Sequence, residues 1–145
     1  MDKKPRPVTA MDIGGLQAAL AELFAPWVRE LDLRVTACEP GSVTLQLPVT
    51  PHHVHGGGVL CGQTLMAAAD TAMVLAVMTK LGGFQPMTTV QLQTSFLRAV
   101  PGDAGHAQVV ARVLKMGRSL VFGSIDIHTP DGQLAAQAAT TYALL

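Results

Sequence analysis

Asp70 sits inside one of the most apolar stretches of the chain, in "MAAADTAM" at residues 66–73. From residue 65 to 78 only Asp70 and Thr71 carry polar side chains. An ionised carboxylate in such surroundings costs several kcal/mol unless it is paired, hydrogen-bonded or opened onto a wet pocket. Such a carboxylate has two uses. It caps a neighbouring backbone group or pairs with an arginine, or it faces a cleft as a general base or nucleophile.

Just upstream, "HGGGVLCGQT" at residues 55–64 brings glycines close to a helix N-terminus, where free backbone N–H groups and the helix dipole can hold an anion. A developing oxyanion is such an anion; the alternative is that Gly56, Gly57 and Gly58 only shape a turn. Asp70 follows Gly62 by eight residues, on the order of 12 Å along a helix axis, so one helix cannot present both groups to one carbonyl. Two such helices, antiparallel across a two-fold axis, can. The expectation is an obligate dimer with shared active sites; whether dimers pair further into tetramers is open at this level.

Other reactive residue types crowd the same loop. The imidazoles of His52, His53 and His55 invite a zinc reading, but only Cys61 is near enough in sequence to complete a tetrahedral set. Neither a metal nor a cofactor is expected. Cys61 at the helix start is a second candidate nucleophile with His55 as its base, and its alternative is a buried, inert thiol. Met66, Met73 and Met78 read as core or as pocket lining, because Met fills irregular apolar gaps.

The elements that must position these groups follow from composition and period. The chain has 145 residues, 49% of them hydrophobic, which suits a single domain over 1–145. Ten Lys plus Arg against ten Asp plus Glu leave no broad field to gather nucleic acid or an anionic membrane. Partners are therefore expected to be small molecules or copies of the chain itself. Two cysteines, Cys38 and Cys61, read as reduced thiols in a cytoplasmic protein. The N-terminus starts basic, but Asp12 and Gln17 interrupt any apolar signal core, so neither a secretion signal nor a membrane span is expected.

Leu16, Leu20, Leu23 and Trp27 recur at steps of three or four and predict one amphipathic helix over residues 11–31, bent at Pro26. "LRVTACEP" and "SVTLQLPV" alternate around Pro40-Gly41 as a hairpin with one wet face. The apolar run predicts a central helix over 62–80, hydrophobic nearly all round, buried, and too short over its apolar part to span a membrane. From Thr88 onward four strand-like runs, separated by Pro101-Gly102, Gly117 and Asp131-Gly132, predict a four-strand meander. The sum is an α+β fold with a curved antiparallel sheet of five to six strands wrapped around a long helix.

From Leu33 to Leu145 the chain resembles the hot-dog-fold acyl-CoA thioesterases, in particular the phenylacetate-degradation type. In that family a His-Gly-Gly motif opens the central helix and an acid follows nine residues after the His. Here Cys61-Gly62-Gln63 precedes Asp70-Thr71-Ala72 at that spacing, with Cys61 in place of the His and Gln63 in place of the second Gly. The family's Asn, six residues before the His, falls on His55. "TTVQLQTSFLRAVPGD" resembles the family's third strand and Pro-Gly turn, with Thr89 where a catalytic Ser or Thr occurs, and "LKMGRSLVFGSIDI" resembles the Gly-centred hairpin that follows. A rival register starting at His55-Gly56-Gly57 would require the acid at Thr64.

The resemblance implies hydrolysis of a small or medium, aliphatic or aryl acyl-CoA. The Gly62 amide, with Gln63, would polarise the thioester carbonyl, and Asp70 of the partner subunit would act as base or nucleophile. His55 would orient water or the acyl group, and Thr89 would hold the water. Cys61, Met66 and Met73 would meet the substrate, and Arg98, Lys115 and Arg118 are candidates for the coenzyme's phosphates, with a solvated surface charge as the alternative for each. Two other functions belong beside this one: a non-catalytic acyl-CoA binding module, and an enoyl-thioester hydratase of the same fold. The hydratase-type Asp-x-x-x-His-x-x-Pro pattern is not in the sequence.

Overall fold

The computed structural model describes residues 11–145; the basic start at residues 1–10 lies outside them. Two short helices, α1 (Ile13–Glu22) and α2 (Pro26–Arg29), precede the hairpin of β1 (Arg34–Glu39) and β2 (Ser42–Pro48). A 3₁₀ turn at Pro51–His53 leads to the long helix α3 (Gly62–Leu81), and four strands complete the chain: β3 (Met87–Phe96), β4 (His106–Met116), β5 (Leu120–His128) and β6 (Leu134–Leu144). They form one antiparallel sheet in the order β1-β2-β4-β5-β6-β3, and α3 packs against all six strands.

The alternation read from β2 holds residue by residue, with Val43, Leu45 and Leu47 fully buried and their neighbours half-exposed. Val109 and Ala111 on β4 and Val121, Ile125 and Ile127 on β5 continue the same face beneath α3. Each large side chain removed from water there contributes about 2 kcal/mol. The helix presents Ala68, Ala69, Ala72 and Ala76 to the interior, and these small residues let its backbone lie close to the sheet. Met73, fully buried, crosses to the sheet at Gly123, where a Cβ would overlap the Met73 thioether. This puts Met73 in the core rather than at a pocket wall.

Three expectations need correction. The single helix over 11–31 is two helices. Pro26 lacks the N–H that would continue α1, so α1 stops at Glu22 and Pro26 opens α2 at its first turn, where that N–H has no helical partner to lose. Leu23 and Trp27 are exposed as a result, and Leu16, Ala19 and Leu20 carry the buried face. Arg29 fastens the elbow by donating to the Phe24 and Glu22 carbonyls, and Gln17 ties α1 to β1 through Leu33 and Val35.

The meander comprises β4, β5 and β6 only, because β3 lies at the sheet edge beside β6. α3 is about 30 Å long and delivers the chain to that far edge, so the segment after β3 must cross back over the end of the sheet to reach β4. Finally, α3 is long and apolar enough to cross a membrane by length and composition, but most of its apolar window is buried inside the fold. Packing against the sheet, rather than insufficient length, accounts for its apolar surface.

Candidate active site

Asp70 lies midway along α3 and faces the pair β3–β6. The register of that pair sets Thr89 opposite Tyr142, and the register shifts immediately after Thr89. Thr89 Oγ1 donates to Asp70 Oδ1 at 2.9 Å. The Tyr142 hydroxyl donates to the same Oδ1 and stands 3.0 Å from the Asp70 main-chain oxygen. Among the described residues no donor reaches Oδ2. Asp70 itself is half-buried, whereas Tyr142 is only 2% exposed. Burial first, then the adjacent Asp70 charge and hydrogen bond, hold the Tyr142 proton well above the usual tyrosine range, with Thr89 pulling weakly the other way. Tyr142 is therefore a neutral donor across the ordinary pH range.

These groups border an open cleft of about 330 Å³. Its apolar side is made by Leu23, Phe24 and Val28 of the α1–α2 elbow, with Phe84 and Met87. The helix break at Pro26 thus shapes the cleft wall. Two larger hollows occur, of about 430 Å³ beside α1 and about 470 Å³ beside Arg98. Apart from Arg98, their charged groups are engaged locally: Arg29 on carbonyls, Arg34 with Asp32, and Asp131 with Thr129. A carboxylate with one oxygen held and the other open makes the Asp70 cleft the chemically equipped one.

The His- and Gly-rich loop is organised differently. His55 Nδ1 accepts from Gly57 N–H, the His55 carbonyl accepts from Gly58 N–H, and Gly58 adopts a φ of 77°. Val54 and Leu60 then bridge as a miniature hairpin. This loop also anchors the crossover after β3, through Leu60 N–H to the Val100 carbonyl and Gly102 N–H to the Gly58 carbonyl. Gly56, Gly57 and Gly58 are turn residues here, and α3 begins at Gly62 with Cys61 as its N-cap. No side chain caps that end, so the first-turn amides, including those of Gly62 and Gln63, keep free N–H groups. The Phe96 ring lies against Gly62.

The remaining candidates are dispersed. Gln63 opens onto a separate hollow with His52 and His53, not onto the Asp70 cleft. Cys61 Sγ pairs with the Thr64 hydroxyl at 3.0 Å rather than with His55, so no thiol–imidazole dyad forms. Among the described residues no three His, Cys, Asp or Glu side chains cluster as metal ligands; the His52 and His53 rings meet edge to face, and His52 lies 3.7 Å from Glu30. Met66 is half-buried near the start of α3. Arg98 follows β3 beside the start of β6, whereas Lys115 and Arg118 flank the hairpin whose Leu120 pairs with Ala143 near the end of β6. About eight residues of strand, about 27 Å, separate those two ends, so the three cations form two separate groups rather than one cluster.

Tyr142 went unnoticed in the sequence. It is the single tyrosine of the chain, lying in the run "AATTYALL", and an aromatic with a polar tip at an inward strand position signals a buried hydrogen bond. What that bond would reach was not visible.

A family model described as the thioesterase superfamily matches residues 52–136. Acyl-coenzyme A thioesterase 13 of Homo sapiens is 27% identical over 111 residues, covering 75% of this chain and 77% of that protein. The structure of zebra fish thioesterase superfamily member 2 matches with a TM-score of 0.79 at 26% identity, covering 92% of this chain and 95% of that one. A thioesterase of Haemophilus influenzae matches with a TM-score of 0.83 at 21% identity, covering 95% and 93%.

Proposed function

This chain belongs to the thioesterase superfamily and is a thioester hydrolase, and from that premise we propose that it hydrolyses an acyl-CoA at the Asp70 cleft. The observation that carries the proposal is a half-buried carboxylate with one oxygen held by Thr89 and the other open, at the edge of an apolar hollow. The Asp70 carboxylate removes a proton from water as the water oxygen bonds to the thioester carbon. The carbonyl oxygen gains the negative charge. Collapse of the tetrahedral intermediate breaks the C–S bond and expels the thiolate, which takes the proton back from Asp70, leaving a free acid and CoA. Direct attack by Asp70 to give a mixed anhydride, opened afterwards by water, uses the same groups.

The developing oxyanion needs donors, and the Gly62 and Gln63 amides at the positive end of α3 suit that role. They lie about 12 Å along the axis from Asp70, so the site takes them from a second copy of the chain. Two features support a dimer: α3 carries the two halves of the site at separate places, and β3 is a ten-residue strand at a free sheet edge with Val90 and Phe96 exposed. A dimer of dimers extends the same reading.

His55, its Nδ1 already occupied, would orient water or the acyl group through Nε2. Cys61 and Met66 would line the entrance at the start of α3. Arg98 from one subunit, or Lys115 and Arg118 from the other end of the sheet, would meet the coenzyme's phosphates. The acyl group is small or medium, aliphatic or aryl, as in the phenylacetate-degradation type, and the protein is placed in the cytoplasm.

The test is loss of thioester absorbance across a panel of aliphatic and aryl acyl-CoAs, comparing wild type with Asp70→Asn. Hydrolysis by wild type that collapses in the variant supports the proposal. Equal rates in both would remove Asp70 from the chemistry.

A further inference from the structure

Asp70 is held by two donors from two different strands, and both act on one of its oxygens. Thr89 comes from β3 and Tyr142 from β6, and strand pairing places them side by side. Both donate to Oδ1, which is thereby committed to the protein. Oδ2, which receives no donor among the described residues, is left to face the cleft. We propose that Tyr142 is a positioning residue for the hydrolytic reaction: its phenol fixes the Asp70 carboxylate through Oδ1, so that Oδ2 alone is presented to water or to the thioester. This rests on Asp70 being the working acid.

The surroundings support this assignment. Tyr142 is almost fully buried, so its hydroxyl must find its partner inside the fold, and the acceptors it finds both belong to Asp70. Its proton stays in place under assay conditions, because burial and the neighbouring carboxylate both disfavour the phenolate. Asp70 and Tyr142 are the titratable side chains lining the cleft; the others, from the α1–α2 elbow, α2, α3, the turn after α3 and β3, are apolar residues and threonines. Removing the phenol takes away one of the two donors that hold Oδ1. Thr89 alone would then remain on Oδ1, and rotation of the carboxyl group would let either oxygen reach the cleft.

The chain contains one tyrosine, which makes a direct test practical. Protein grown with 3-fluorotyrosine carries a single ¹⁹F resonance, at Tyr142. That resonance is expected to titrate with an inflection matching the acid limb of the kcat/KM profile, and to lose the inflection in Asp70→Asn. Tyr142→Phe keeps the ring and removes the donor. It is expected to lower kcat about tenfold with KM little changed. A resonance that stays flat through the acid limb, or a Tyr142→Phe profile that overlays wild type, would overturn the proposal. Should Tyr142→Phe fail to fold, the ¹⁹F titration of the otherwise unaltered chain still decides. An active Asp70→Asn would overturn the Asp70 reading and this one with it, whereas an inactive Asp70→Asn beside an unchanged Tyr142→Phe would overturn only this one.

Discussion

The middle of α3 and the loop before it make opposite use of reactive residues. The loop, residues 52–61, holds three histidines, a cysteine and a run of three glycines, yet its groups are satisfied by near neighbours: His55 by Gly57, Gly58 by His55, Cys61 by Thr64. Asp70 has no reactive neighbours in the sequence, and its partners lie 19 and 72 residues away. A short chain segment rich in donors and acceptors closes on itself at small entropic cost, so local density of such residues is spent on turns. A polar group in an apolar helix has no local outlet, and it is satisfied only where distant elements are built to meet it.

The contrast can be tested first at its strongest point. Asp70→Asn keeps shape and removes the base, and kcat is expected to fall about a thousandfold while thermal melting stays within a few degrees of wild type. A comparable loss from any change in the loop would reverse the ranking of the two regions. Thr89→Val removes one donor to Oδ1 at nearly constant volume, and steady-state kinetics should show about a tenfold fall in kcat. His55→Ala sharpens the comparison from the other side. It removes the acceptor for Gly57 N–H and the proposed orienting ring, and a loss in kcat/KM of less than about fivefold is expected. A loss exceeding that of Thr89→Val would make the loop the more important half of the site.

The smallest effect concerns stability. The folded chain holds the Tyr142 proton more tightly than the unfolded chain does, so the associated stability is complete below about pH 10 and is lost as pH rises through the folded value. Urea midpoints between pH 8 and 10.5 should therefore decline by the equivalent of under about 1 kcal/mol from this group. The decline should flatten in Tyr142→Phe.

Much of the fold is legible from the residues. The alternation of Val43, Leu45 and Leu47 predicts a one-sided strand, and the run from Gly62 to Lys80 predicts a buried helix that the structure extends by a single residue, to Leu81. The elbow at Pro26 is legible as a bend but not as a break, because periodicity continues through Leu23 and Trp27 while their burial does not. The place of β3 beside β6 is not legible at all. Adjacent strands in sequence usually pair, and only the length of the intervening helix sends β3 to the other edge.

The sequence by itself determined that a carboxylate would stand in a buried helix, that the helix would start near Gly62, and that alternating strands would cover it, since period and polarity are properties of neighbours along the chain. Only the tertiary structure decided what touches Asp70. Thr89 and Tyr142 become adjacent through the register of two strands that are distant in sequence, and the cleft acquires its apolar wall from a helix elbow near the start of the chain. Hydrogen bonds and cavities depend on distances of a few ångströms between elements, and those distances are set when the sheet closes on the helix.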